Sequence, residues 1–140
     1  MRTGTRREVE DLSRFECLRL LGEGKVGRIG LSWDALPAIF PVNYVLDGNR
    51  IVIRTGYGSK LSAAMAGAVV AFEVDQWDAV SHTGWSVLVR GHARVLLDPA
   101  EVEEAKSLPL EPWANPDADH FVEIPCELVT GRRIRGWYED

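Results

Sequence analysis

The chain reads as a mainly β protein, a Greek-key barrel or sandwich with peripheral helices. Three observations predict this. Apolar residues alternate with a period of two in several short runs, and these runs are bounded by glycine, proline or Asp-Gly turns. Helix-start chemistry occurs at only two places, with one further short helical run between them. That leaves too few crossover helices for a βαβ fold. At 140 residues the chain fits one domain, with room for a hydrophobic core that needs no disulfides.

The elements follow in order. Residues 1–12 lack an apolar run and are expected to be a flexible or partner-clasping arm, leaving 13–140 as a single domain. Ser13-Arg14-Phe15-Glu16 is a capping box, with Leu12 and Cys17 placed for a hydrophobic staple. Leu18, Leu20 and Leu21 continue an apolar stripe and Gly22 suits the C′ position, so a helix is predicted over 13–21. Val26 to Leu31 is a strand with Ile29 and Leu31 on one face. Ala38 to Leu46, "AIFPVNYVL", is a longer strand, in which Pro41 requires a bulge or an edge position. Asp47-Gly48 turns it into a strand over Arg50 to Thr55. A short helix runs from Leu61 to Ala66. Strands follow at Ala68 to Asp75 and Gly84 to Leu97, the second with Val87, Val89, Gly91, Ala93 and Val95 on one face. Gly91 permits a bend or bulge there. Asp98-Pro99-Ala100-Glu101 starts a helix that ends near Ser107. Pro109, Pro112 and Pro116 keep the next loop extended, and Phe121 to Ile134 returns as one or two strands.

Composition narrows the function. The formal charge of −5 does not favour non-specific nucleic-acid binding. No apolar run is long enough to span a membrane, and the N-terminus lacks the apolar region of a secretory signal. Cys17 and Cys126 lack any CxxC spacing and read as reduced thiols of a cytoplasmic protein, with Cys17 a packed helix residue. His82, His92 and His120 match no zinc spacing, so no metal is expected. No nucleophile–base–carboxylate set can be assembled, so no catalytic residue is assigned.

Three stretches carry chemistry, each beside a plainer reading. Gly56-Tyr57-Gly58-Ser59-Lys60 joins a strand to a helix. Its glycines let backbone N–H groups approach an oxyanion, with Ser59 and Lys60 as donors and Arg54 as a planar fork. It is not a Walker A loop, and a plain helix cap would look similar. Trp85-Ser86 offers a stacking face and a hydroxyl, or is an ordinary core tryptophan. Pro41-Val42-Asn43-Tyr44 puts polar groups into an apolar strand; a buried Asn43 would need partners, and a ligand is one candidate. Glu73 and Asp75, two apart, are a paired acid–base set or a solvated strand end, and Arg132, Arg133 and Arg135 are an edge run or a phosphate clamp.

Taken in order, "GKVGRIGLS…LPAIFPVNYVLDGNRIVIRTGYGSKLSAAM…VAFEVD…GWSVLVRGHARVL" resembles the pyridoxamine 5′-phosphate oxidase-like, FMN-binding split-barrel superfamily, most of all its small nitroimidazole-resistance-like branch. The resemblance covers roughly residues 10–138 and implies a six-stranded antiparallel split barrel, dimeric, with flavin sites at the subunit interface. It assigns Ser59 and Lys60 to the FMN phosphate, with Arg54 and Thr55 close by. Pro41, Val42, Asn43 and Tyr44 would line the isoalloxazine ring, largely through backbone groups. Trp85 and Ser86 would come from the partner subunit, with Arg90 assisting, and Glu73 and Asp75 would lie beside the ring. It implies an FMN-dependent oxidoreductase acting on a small molecule, with a nicotinamide or a reduced deazaflavin as electron donor. Relatives use FMN, a deazaflavin or haem, so a deazaflavin-dependent reductase and a non-enzymatic flavin or haem binder are the alternatives. The arginine and histidine set of true pyridoxamine phosphate oxidases has no counterpart near the C-terminus.

Overall fold

The computed structural model describes the backbone of residues 5–56, 59–111 and 120–139, and the side chains of 8–56, 61–111 and 120–135. Within these residues the chain runs β1 (Thr5–Asp11), α1 (Arg14–Leu21), β2 (Val26–Trp33), β3 (Leu36–Asp47), β4 (Arg50–Thr55), α2 (Ser59–Met65), β5 (Val69–Asp78), β6 (Thr83–His92), β7 (Arg94–Val95), α3 (Pro99–Lys106), β8 (His120–Pro125) and β9 (Leu128–Glu139). One sheet of nine strands has the order β1-β9-β6-β5-β2-β3-β4-β8-β7, with every pairing antiparallel.

The mainly β reading holds, and the six expected strands lie within these nine. Three differences account for the count. Residues 121–134 divide at Cys126 into β8 and β9. The run 84–97 divides at Ala93, whose N–H bonds to the Ala68 carbonyl at 2.8 Å while its own carbonyl accepts from Gly67 at 2.9 Å. The third is a correction: the arm expected to be flexible forms β1 from Thr5 to Asp11 and pairs with β9. Its hold on β9 is partly ionic, through Glu10 to Arg135 at 2.7 Å.

The sheet curls without closing. β6 and β8 are not ladder partners, yet a Cβ on Gly91 would stand 2.3 Å from the Pro125 carbonyl oxygen. Gly91 therefore serves a close backbone approach, where the sequence suggested a bend or bulge. Inside the curl, alternate residues of β2, β3, β4, β5, β6 and β8 meet α1 and α2: Ile29, Val42, Tyr44, Ile51, Ile53, Phe72, Val87, Val89, Val122 and Ile124 pack with Cys17, Leu20, Leu21, Leu61 and Met65. α3 covers the other side of β4 and β8, over Val52 and Phe121.

The helix signals translate closely. Ser13 caps α1 by accepting from the Glu16 amide at 3.2 Å. Glu16 does not reach back to complete the box; it pairs with Arg19 at 2.9 Å. Gly22 ends the helix with φ −67, so the left-handed turn that suits a C′ glycine is absent. Asp98 caps α3 through the Ala100 amide, with Pro99 in the first turn and Ser107 at the C-cap.

Candidate functional site

Pro41 explains how an opening forms in the sheet. A proline cannot donate to a ladder. β3 pairs with β2 from Leu36 to Asn43, but with β4 only from Asn43 to Asp47. Pro41 and Val42 therefore have a ladder partner on the β2 side alone among the described residues, a local edge of the kind Pro41 requires.

At this edge two sequence-selected residues meet, Asn43 and Arg54. Asn43 is the Cα partner of Arg54, so both stand at the point where the β3–β4 ladder begins. Arg54 is half-buried, donates to the Leu110 carbonyl at 3.2 Å and lies over the Phe121 ring at 5.2 Å. The Asn43 amide nitrogen donates to the Glu111 carbonyl at 3.1 Å, and its amide oxygen has no hydrogen bond among the described residues. The segment after α3 is thus fastened to the site through two backbone carbonyls. Beyond Thr55 the chain passes into α2, which begins at Ser59. The backbone of Ser59 and Lys60 is helical; their side chains, with Tyr57 and Gly58 of the same loop, lie outside the described residues, as do Pro112 and Pro116 of the extended loop.

Not every selected side chain faces the opening. Val42 and Tyr44 share the inward parity of β3 and are 0% and 2% exposed. The Tyr44 hydroxyl donates to the Leu21 carbonyl at 2.6 Å, its ring stands edge-on to Phe72 with centroids 4.8 Å apart, and burial pushes the phenol up to about 12. The side chains of these two residues therefore do not face a ligand at this edge. Thr55 is likewise fully buried.

Trp85, Ser86 and Arg90 stand elsewhere. They lie on β6, which is separated from β3 by β5 and β2. With strands spaced about 4.8 Å apart, that is about 14 Å from Pro41. Trp85 packs against the core and lines a hollow of about 740 Å³ with Trp77, Arg133 and Arg135. Ser86 and Arg90 line another of about 610 Å³ beside Arg132. Within one protomer these two groups of residues do not share a small ligand.

Arg28 is a neighbour that the sequence did not single out. It is the Cα partner of both Pro41 and Glu73, and its Nη1 reaches Glu73 at 2.9 Å and Asp75 at 3.2 Å. Burial, then the hydrogen bond and charge of Asp75, push the Glu73 carboxyl up to about 7. Arg28 has the polar parity of β2, but only the β2–β5 register brings it to the two carboxylates. The arginines of the β9 run are engaged: Arg132 with Asp11 at 3.8 Å, Arg133 with Glu16 at 3.7 Å and Arg135 with Glu10 at 2.7 Å. Burial pushes both the Cys17 and Cys126 thiols up, which keeps them protonated. Among the described residues no group of three or more His, Cys, Asp and Glu could hold a metal, and no helix is long and apolar enough to cross a membrane.

Comparison with known proteins adds three relationships and a family match. Residues 13–133 match the family model described as pyridoxamine 5′-phosphate oxidase. The chain is 44% identical over 133 residues to the uncharacterized protein Rv0080 of Mycobacterium tuberculosis, spanning 91% of this chain and 87% of that one. It is 39% identical to the FAD binding protein from Mycobacterium smegmatis, with a TM-score of 0.76 over 90% of this chain and all of that one (100%). An FAD-binding protein from Mesorhizobium loti is 26% identical, with a TM-score of 0.69 over 89% of this chain and 97% of the other.

Proposed function

Because the chain belongs to the pyridoxamine 5′-phosphate oxidase family, we propose that it binds a flavin nucleotide in a slot completed by a second copy of itself, and acts as a flavin-dependent oxidoreductase on a small molecule. The observation that carries this reading is the half-open β3 edge at Pro41–Val42, with Arg54 standing beside it where β4 ends. An isoalloxazine ring carries carbonyls and ring nitrogens along one rim, and unpaired strand backbone is suited to meet them. The open amide oxygen of Asn43 adds a fixed acceptor. Arg54, with Ser59 and Lys60 four and five residues after Thr55, supplies charge for a phosphate. Trp85 and Ser86 would reach the slot from the second copy, in keeping with their distance from Pro41 in their own protomer. When bound, the flavin supplies the redox chemistry; the protein binds it, orients it and limits water around it.

FMN is the form implied by the resemblance. The names of the Mycobacterium smegmatis and Mesorhizobium loti relatives favour FAD as the second form to test. A deazaflavin with an acidic tail would need a free basic groove, and the engagement of Arg132, Arg133 and Arg135 with carboxylates weighs against that use of them. The test is the visible spectrum of the purified protein, followed by titration with FMN and FAD. A flavin spectrum, or tight uptake of either nucleotide, supports the reading; a colourless protein that takes up neither overturns it. Lys60→Ala should weaken flavin binding by about 1.5–3 kcal/mol through loss of a charge-assisted hydrogen bond, and unchanged affinity would remove Lys60 from the phosphate. With flavin bound, a screen of nicotinamide and reduced-deazaflavin donors separates an enzyme from a carrier, because a carrier shows no turnover with any of them.

A further inference from the structure

β5 runs on past its ladder with β2. The β2–β5 pairing covers Ala71 to Glu73, whereas β5 and β6 stay paired as far as Asp78 and Thr83. The turn between β5 and β6 is pinned by Asp78, whose carboxylate accepts from the Val80 amide at 2.9 Å and from the Ser81 amide at 3.2 Å. The hollow of about 740 Å³ opens at this end of the hairpin, with Trp77 in its wall.

Parity along the hairpin sorts its two indoles. Cα partners across an antiparallel ladder share a face. Val74 and Val87 are partners and both are buried, so Gln76 and Trp85, two residues further along each strand, also have the inward parity. Asp75 with Ser86, and Trp77 with Gly84, have the outward parity. The other aromatic side chains of β2, β3, β5 and β6, which are Trp33, Phe40, Tyr44, Phe72 and Trp85, pack with the core. Trp77 does not; it is 53% exposed. Gly84 gives it a seat, because a Cβ there would collide with the Trp77 ring. One face of the indole therefore lies on the glycine, and the other is open.

We propose that the partner subunit's Trp77 is the stacking wall of the flavin slot: it arrives beside the partner subunit's Ser86 and lays the open face of its indole against the isoalloxazine ring. Ser86 and Trp77 are diagonal neighbours on one face of the hairpin, about 7–8 Å apart. A contact that brings Ser86 to the slot of another copy therefore brings Trp77 with it. Trp85 belongs to the same segment, but its indole packs on its own core. The stacking face that the sequence offered at Trp85 is thus supplied by Trp77. An indole already laid on a glycine, in a hairpin whose turn is pinned, has little freedom left to lose on meeting a flat ring, and aromatic faces gain by offset stacking. The inference rests on the flavin and homodimer reading above and adds the side chain that recognises the ring, as distinct from the phosphate.

The test compares FMN with lumiflavin, which carries the ring without the ribityl phosphate, each titrated by fluorescence into the full chain after removal of any co-purified flavin. Trp77→Ala is expected to weaken both by the same factor, roughly 5- to 150-fold, the worth of one stacked aromatic face. Trp77→Phe is expected to keep most of the affinity, since a phenyl ring still covers Gly84. Lys60→Ala is expected to weaken FMN alone, because lumiflavin has no phosphate. A stacked indole quenches flavin emission by electron transfer, so flavin bound to Trp77→Phe is expected to be brighter than flavin bound to the wild type. Near-ultraviolet circular dichroism checks the fold of each variant, and sedimentation velocity checks the dimer. Unchanged affinity and emission in Trp77→Ala overturns the stacking role and leaves the flavin reading in place. So does a loss confined to FMN, or one that appears only where the dimer is lost as well, which would make Trp77 a packing contact between copies. A wild type that takes up neither flavin overturns both readings.

Discussion

Tyr44 offers the sharpest division between structure and site, because the same residue can be read as lining a flavin or as holding the core. Tyr44→Phe removes the hydroxyl and leaves the ring in place against Phe72. The bond lost is a 2.6 Å donation to the Leu21 carbonyl. That carbonyl also accepts from the Gly24 amide at 3.3 Å, so it is not left wholly unpaired. The expected cost is therefore the net worth of a neutral hydrogen bond, about 0.5–1.5 kcal/mol, and not the larger penalty of an orphaned buried acceptor. Tyr44→Ala removes the ring as well and should cost about 3–5 kcal/mol. Urea unfolding at one fixed protein concentration measures both, with an unchanged slope confirming that stability alone has moved. Flavin affinity, measured below the unfolding transition, should be unaltered by Tyr44→Phe. A tyrosine-to-phenylalanine change that left stability untouched and weakened flavin binding would refute the assignment of this side chain to the core.

Three further outcomes are expected. Gly27→Ala should destabilise by about 1–3 kcal/mol in the same assay, because the new methyl would stand 2.3 Å from the buried Phe72 ring and 3.1 Å from the Glu73 carbonyl oxygen; wild-type stability would show that the ring can move aside. Asp98→Ala should cost about 0.5–2 kcal/mol through loss of the α3 cap, again by urea midpoint. Glu73 holds its proton to about 7 in the folded chain and loses it near the ordinary glutamate value of 4.5 when unfolded. Between those values the folded state binds more protons, so stability falls as pH rises through that window. Glu73→Gln should reduce the fall, and an identical pH profile for the two proteins would show that the carboxyl is not held up.

Much of this architecture is written locally. The caps at Ser13 and Asp98, the Asp47-Gly48 turn and the alternation of Val87, Val89 and Gly91 each depend on neighbours in sequence, and each appears where those neighbours place it. β1 was illegible because Val9 is the one aliphatic residue in TRREVED and its partners lie at the other end of the chain. The break at Ala93 was hidden for a similar reason, since it depends on hydrogen bonds to Gly67 and Ala68. The candidate site shows the same division. Asn43 and Arg54 meet through a hairpin that the sequence announces. Arg28 reaches Glu73 and Asp75 only through a ladder 45 and 47 residues distant, which no local pattern encodes. Tyr44 has the parity of Val42, and that parity, more than its polarity, decided where its side chain went.

The ends of the open sheet carry a consequence of their own. An unclosed sheet exposes two strands to which a stray chain can add, the first step toward aggregation. One end here is β7, only two residues long, which offers little ladder to extend. The other is β1, whose Glu8, Glu10 and Asp11 engage arginines of β9, so an incoming strand would meet a densely charged border. Short at one margin and ionic at the other, the sheet can stay open, with its backbone available at Pro41, without inviting uncontrolled growth.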